Sequence, residues 1–398
     1  MSARKRDAPG EQGAGRAAGP GELETVTRTP GDPGDGRRRR RRAGGWPLVL
    51  AGLALLLVLT TAATALRANG TLDALEQQRI RTSEADELTL GYFANLTHGP
   101  ALAGVHDGVF DDALGGTELS TQVFSTGPTT IEAMNSGEVD AAFMGPNPAI
   151  NSYVQSGGES ITIIGGATSG GARFIVSDDV AGEDDLAGRT FATPALGGTQ
   201  DVALRVWLEE RGYEVDTGSP DSVSITPMPS GQALQTFRQG QIDGFWGPQP
   251  WVTLMSEEGG RVLVDEGDLW PEGRYPTTVL AVRTDFLEQH PETVERLLGG
   301  LEDSVAHLEQ MPPEDAAALL NEAMVEAQGQ ELPEQTLISS LEQMEWTADP
   351  MAGTYDTLLG NGVSAGVTQD ASLEGLVDVE PLNRVREQRG MEPVEGQP

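Results

Sequence analysis

The 398 residues include no cysteine, so disulfides, thiolate metal sites, a cysteine nucleophile and a lipid-modified cysteine are excluded. Lysine occurs once, at Lys5, and a body without lysine cannot form a Schiff base with a pyridoxal cofactor. The four histidines, His98, His106, His290 and His307, are scattered without metal-ligand spacing. Positive charge is equally scarce beyond the N-terminus. Residues 1–67 hold 12 basic and 6 acidic side chains, whereas the rest of the chain holds 14 basic against 55 acidic. So acidic a body repels a phosphate backbone, which excludes nucleic acid as a partner. The glycine-rich run Gly165 to Gly171 lacks the lysine of a phosphate loop, and no dinucleotide fingerprint follows a strand. The carboxylates form no recognisable acid/base framework. The sequence therefore implies neither catalysis nor a cofactor.

The N-terminal residues differ sharply from the body. Residues 1–36 are rich in Gly, Pro, Ala and charge without apolar periodicity, and Arg37 to Arg42 follow as an unbroken basic block. The apolar run Trp46 to Leu66 is long enough for a helix to cross a bilayer. The arginine block holds its own end in the cytoplasm, which places everything after Arg67 outside. The expected order is a disordered basic arm over 1–45, a membrane anchor over 46–66 and a stalk over 67–86. Cleavage after Ala63-Thr64-Ala65 is the competing reading, with the leading region unusually long for a signal peptide. A bacterial cell surface, of the high-GC Gram-positive kind, suits this arrangement.

From Glu87 onward short β-rich runs alternate with helical ones, the signature of parallel-sheet α/β units. An internal echo lies within them. Ile131 to Asp140 (IEAMNSGEVD) aligns with Leu234 to Asp243 (LQTFRQGQID), and Gly145-Pro146-Asn147-Pro148 then matches Gly247-Pro248-Gln249-Pro250. In each copy a helix ends at a glycine, a strand follows an aspartate, and a Gly-Pro-amide-Pro turn opens the next helix. Two such copies imply two similar lobes with a cleft between them. The expected division is 87–176 and 277–398 for the first lobe and 177–276 for the second, with the strand TTVLAV returning the chain.

Several expected helix starts carry small, hydroxyl or amide residues: Ser125-Thr126-Gly127-Pro128, Pro146-Asn147-Pro148, Gly197-Gly198-Thr199-Gln200 and Ser230-Gly231. Their free N–H groups and positive dipole ends can cradle an oxyanion without lysine, although the same residues are also ordinary helix caps. Trp246, beside the second turn, heads the aromatic candidates for an apolar wall, with Trp251, Phe143, Tyr92 and Phe93 behind it, and aromatics in such places are commonly core. His98, just after the first strand, suits either a ligand contact or a local hydrogen bond. Arg173 suits a structural ion pair better than a headgroup contact.

The chain resembles the nitrate/sulfonate/taurine-type substrate-binding proteins of ABC transporters. The resemblance rests on GYFANLTHGPAL at 91–102, FSTGPTTIEAMNSGEVDAAFMGPNPAI at 124–150, GGATSGGARFIVS at 165–177, DLAGRTFATPALGGTQDVALRVWL at 185–208, GFWGPQPW at 244–251 and LVDEGDLWPEGRYPTTVLAV at 263–282. The aliphatic sulfonate branch is the most similar. The resemblance implies a two-lobed, type II periplasmic-binding-protein-like α/β clamshell. It further implies a small anionic organic ligand, and docking of a monomer onto an ABC permease driven by a cytoplasmic ATPase. Its implied ligand shell is Thr97, His98, Ser125, Thr126, Gly127, Pro128, Pro146, Asn147, Thr199, Gln200, Trp246 and Gln249. A membrane-tethered ligand-sensing domain, a binder of nitrate, bicarbonate or a thiamine pyrimidine precursor, and a pyrimidine-precursor synthase are the alternatives.

Overall fold

The computed structural model describes residues 84–329 and 331–397. The expected arm, the apolar run 46–66 and the stalk up to residue 83 lie outside the described residues. Among those described, no helix is long and apolar enough to cross a membrane.

The chain begins with β1 (Glu87–Phe93), α1 (Gly99–His106), α2 (Val109–Leu114), β2 (Glu118–Phe124), α3 (Gly127–Ser136), β3 (Ala141–Met144), α4 (Pro146–Ser156) and β4 (Ile161–Gly170). It then crosses at Gly171 into β5 (Ala172–Val176), β6 (Thr190–Thr193), α5 (Thr199–Glu210), β7 (Ser224–Pro227), α6 (Ser230–Arg238), β8 (Gly244–Pro248), α7 (Trp251–Glu257) and β9 (Arg261–Asp265). It returns through β10 (Pro276–Arg283) to α8 (Thr284–Gln289), α9 (Pro291–Gln310), α10 (Pro313–Gln328), α11 (Glu334–Leu341), β11 (Met344–Trp346), α12 (Tyr355–Ser364) and α13 (Glu380–Gln388).

These strands form two sheets, ordered β2-β1-β3-β10-β4-β11 and β7-β6-β8-β5-β9. Each contains three parallel strands joined by helices, then one antiparallel strand that arrives from the other lobe, then a further strand. The two orders are the same up to β11. This is the structural basis of the internal echo. In the expected division Ala172–Val176 ended the first lobe, but β5 pairs with β8 and β9 and so belongs to the second sheet. The first crossing therefore falls at Gly170-Gly171. RFIVS is apolar enough for either sheet, and hydrophobicity alone does not say which partner a buried strand takes.

The matched aspartates have a structural role that explains why both copies of the echo keep them. Asp140 Oδ2 accepts the Thr89 N–H at 2.9 Å and Asp243 Oδ2 accepts the Thr190 N–H at 2.8 Å, so each carboxylate locks its strand onto the parallel neighbour. Arg283 and Arg189 pair with the two carboxylates at 3.2 and 3.0 Å. Gly137 and Gly240 end the preceding helices with φ of +78° and +64°, a conformation glycine adopts without a Cβ penalty. Behind the first sheet, α9 buries Val294, Leu297, Leu298, Leu301, Val305 and Leu308, a helical-period stripe that packs on α1 and α2.

Candidate functional site

Where the two lobes face each other, a cleft with a cavity of about 60 Å³ opens between their strand ends. The first lobe contributes Phe93, Asn95, Thr97, His98, Ser125, Thr126, Gly127, Gly145 and Pro148, with Thr277 and Thr278 from the start of β10. The second contributes Pro194, Ala195, Gly198, Thr199, Gln200, Ser230 and Pro248. Five helices, α1, α3, α4, α5 and α6, begin at this wall, and none has its first turn capped by the side chain of its N-cap residue. The starts of α3, α5 and α6 bring positive dipole ends and unengaged N–H groups to one space, whereas at α4 the two prolines have no N–H and the Asn147 N–H bonds to Thr199, and at α1 the Gly99 N–H bonds to Leu96 O. Among the described residues, no aspartate, glutamate, lysine or arginine lines it.

His98 is 2% exposed and stacks on Phe93, with ring centroids 4.4 Å apart. The Phe93 N–H donates to its Nδ1 at 3.2 Å, which leaves the neutral ring's proton on Nε2. Burial lowers its pKa from 6.5 to about 3, so the imidazole is a neutral donor at physiological pH. Thr278 is 1% exposed, and its Oγ1 has no hydrogen-bond partner among the described residues. A buried hydroxyl left unpaired on a cleft wall is a group waiting for a partner.

The lobes also touch. The Asn147 N–H donates to Thr199 Oγ1 at 3.5 Å, and a Cβ placed on Gly145 would lie 2.5 Å from the same oxygen. Ser364 Oγ donates to Glu209 at 2.7 Å, joining α12 to α5. The two crossings are tied together by Tyr275, whose hydroxyl accepts the Ala172 N–H at 3.1 Å.

Of the residues singled out from the sequence, Thr97, His98, Ser125, Thr126, Gly127, Thr199 and Gln200 share this cleft, together with Phe93, Gly198, Ser230 and, from the matched turns, Gly145, Pro148 and Pro248. The others do not line it. Pro128 is exposed on α3 beyond the wall. Pro146 and Asn147 are buried behind it, where Asn147 donates its side-chain N–H to Leu358 O at 3.2 Å. Trp246 is fully buried in the second-lobe core, stacked on Phe174 at 5.3 Å, and donates its Nε1–H to Glu266 at 2.7 Å. Its place beside the turn was the reason to choose it, but its ring points to the core face of β8. Gln249 is buried too: its N–H donates to Gly171 O at 2.8 Å and its Oε1 accepts from Thr253, fixing the turn to the crossing. Arg173 pairs with Asp265 at 2.8 Å and with Gln343, away from the cleft.

Sequence reasoning missed Asn95, Pro194, Ala195, Thr277 and Thr278. Pro194 and Ala195 immediately precede the glycine turn at 197–198, which was a usable signal. The two threonines begin the strand expected to return the chain to the first lobe, and only the crossing brings them to the wall.

Residues 81–321 match the family described as NMT1-like. The taurine-binding periplasmic protein of Escherichia coli (strain K12) is 25% identical over 212 residues, 53% of this chain and 63% of that one. A binding protein of Brucella abortus (strain 2308) is 24% identical over 191 residues, 48% of this chain and 57% of its own length. The chain thus spans little more than half the length of these curated relatives. The alkanesulfonate-binding protein SsuA from Xanthomonas axonopodis pv. citri, solved with bound MOPS, has a TM-score of 0.59 at 18% identity over 74% of this chain and 99% of that one, a likeness of fold. With a match that covers more than half of its residues, the chain belongs to the NMT1-like family.

Proposed function

We propose that this protein is the extracytoplasmic substrate-binding component of an ABC importer, capturing a small organic anion of the aliphatic sulfonate kind between its two lobes. The observation that carries the reading is the cleft itself: five helix starts and the neutral donor His98 surround one uncharged space. Backbone N–H groups bind sulfonate oxygens without a formal countercharge, and Phe93, Pro148, Pro194 and Pro248 provide apolar surface for a short tail. The taurine and alkanesulfonate specificities of the relatives support the same ligand class.

Binding then works by closure. A ligand held by His98 and Thr278 on one side and by Thr199, Gln200 and Ser230 on the other offsets the cost of bringing the lobes together. The closed form is what a permease, energised by its ATPase, accepts. Residues 46–66 hold the protein at the membrane, with the lobes outside. Isothermal titration of the full chain with alkanesulfonates, nitrate, bicarbonate and sulfate tests this reading. Saturable binding of an alkanesulfonate supports it; binding of an inorganic anion alone replaces the cargo, and binding of none rejects it.

A further inference from the structure

We infer that the cleft selects a plain anion and rejects a zwitterion, so that an alkanesulfonate is bound and its amino-substituted counterpart, taurine, is not. The inference rests on the sulfonate reading above and divides the ligand class it names.

A sulfonate and an ammonium demand opposite surroundings. The sulfonate needs donors. An ammonium carries three N–H donors and no acceptor, and away from water it needs acceptors and a negative charge beside it. The wall supplies the first kind. The starts of α3, α5 and α6 turn free N–H groups to it, and His98 presents Nε2–H because its Nδ1 is already taken by the Phe93 N–H. The acceptors are neutral and partly engaged: Asn95 Oδ1 takes the Thr97 hydroxyl at 2.7 Å, the Thr126 hydroxyl is paired with Thr129 at 2.9 Å, and the Gln200 amide and the other hydroxyls of the wall carry no charge.

The carboxylates close behind the wall are committed as well. Asp201, in the first turn of α5, is fully buried, accepts the Thr193 hydroxyl and the Gly197 N–H, and is matched by Arg205 at 2.9 Å. Glu266 is held by the Trp246 Nε1–H in the second-lobe core. Neither lines the cleft. The one buried wall group without a partner, Thr278 Oγ1, is a single neutral hydroxyl, which completes the shell of an anion but cannot replace a countercharge for a cation. The repulsion from the helix ends adds to the loss of water around the ammonium.

The test is a matched pair of ligands on the unaltered full chain. 1-Propanesulfonate and taurine have the same length and the same sulfonate, and differ in a terminal methyl against a terminal ammonium. Titration calorimetry of each should give a Kd about 100-fold lower for 1-propanesulfonate, the scale expected when a charged donor is buried without partners. Taurine binding within tenfold of 1-propanesulfonate, or more tightly, overturns the inference while leaving the sulfonate reading intact. Binding of neither overturns the sulfonate reading and the inference with it.

Discussion

Thr278 carries an unusual burden for a buried side chain, since the residue lines the cleft and its hydroxyl has no partner among the described residues. Replacing it with the isosteric valine removes a group that contributes nothing to the empty fold but donates to a bound sulfonate. Thr278→Val should therefore leave the melting temperature unchanged or slightly raised while weakening sulfonate binding about tenfold. A loss of stability with unchanged affinity would show that the hydroxyl is structural. Glu266 gives the opposite kind of test. Burial, reinforced by the neighbouring Asp265, pushes its carboxyl from 4.5 up to about 7, despite the Trp246 N–H that favours the ionised form. A raised carboxyl pKa means that the penalty is absent below about pH 4.5, where both folded and unfolded chains are protonated, and is complete above pH 7, where both are ionised. Glu266→Gln keeps an acceptor for Trp246 and removes that penalty. Its melting temperature should exceed the wild type's at pH 8, by on the order of 2 kcal/mol of stability, and converge with it near pH 4.5. An equal or lower value at pH 8 would contradict the assignment.

At the scale of elements, the start of α4 faces the start of α5, and the contact depends on Gly145 having no side chain. Gly145→Ala sets a methyl 2.5 Å from Thr199 Oγ1 and should hold the lobes apart, weakening ligand binding about tenfold with little change in the unliganded melting temperature. Unchanged affinity would mean that these helix starts do not meet in the bound form. Much of this architecture was legible beforehand. The echo between 131–148 and 234–250 gave both lobes, because the aspartate clamps and helix-ending glycines it contains are local constraints that leave a sequence trace. Helix starts with small polar residues gave Ser125 to Gly127, Thr199 and Gln200. What was not legible depends on which face a side chain takes. Trp246 and Gln249 follow the same turn as Pro248, yet only the proline reaches the wall, because the ring of Trp246 packs on Phe174 and the amide of Gln249 bonds to Thr253. Likewise β5 carries no mark of its sheet, since both sheets offer a buried slot to an apolar strand. Thr277 and Thr278 come to the cleft only through the long-range crossing.

For the whole molecule, the proposed ligand has the same sign as a strongly acidic body. The formal charge of −35 is kept out of the cleft, whose wall holds no Asp, Glu, Lys or Arg among the described residues, which leaves local N–H dipoles to act on a bound anion under the proposed reading. Two crossings, at Gly170-Gly171 and through Glu266 to Tyr275, join the lobes, and the Asn147–Thr199 contact bridges them. Capture by closure is the central claim, and the absence of cysteine makes it directly measurable. Glu132 on α3 and Gln235 on α6 are exposed, occupy nearly matching places in the two lobes, and can be changed to a pair of cysteines carrying spin labels with no background labelling. Double electron–electron resonance on that full-length Glu132→Cys, Gln235→Cys protein should give a shorter and narrower distance distribution when saturated with an alkanesulfonate. A distribution that is the same with and without bound ligand would contradict closure as the basis of capture.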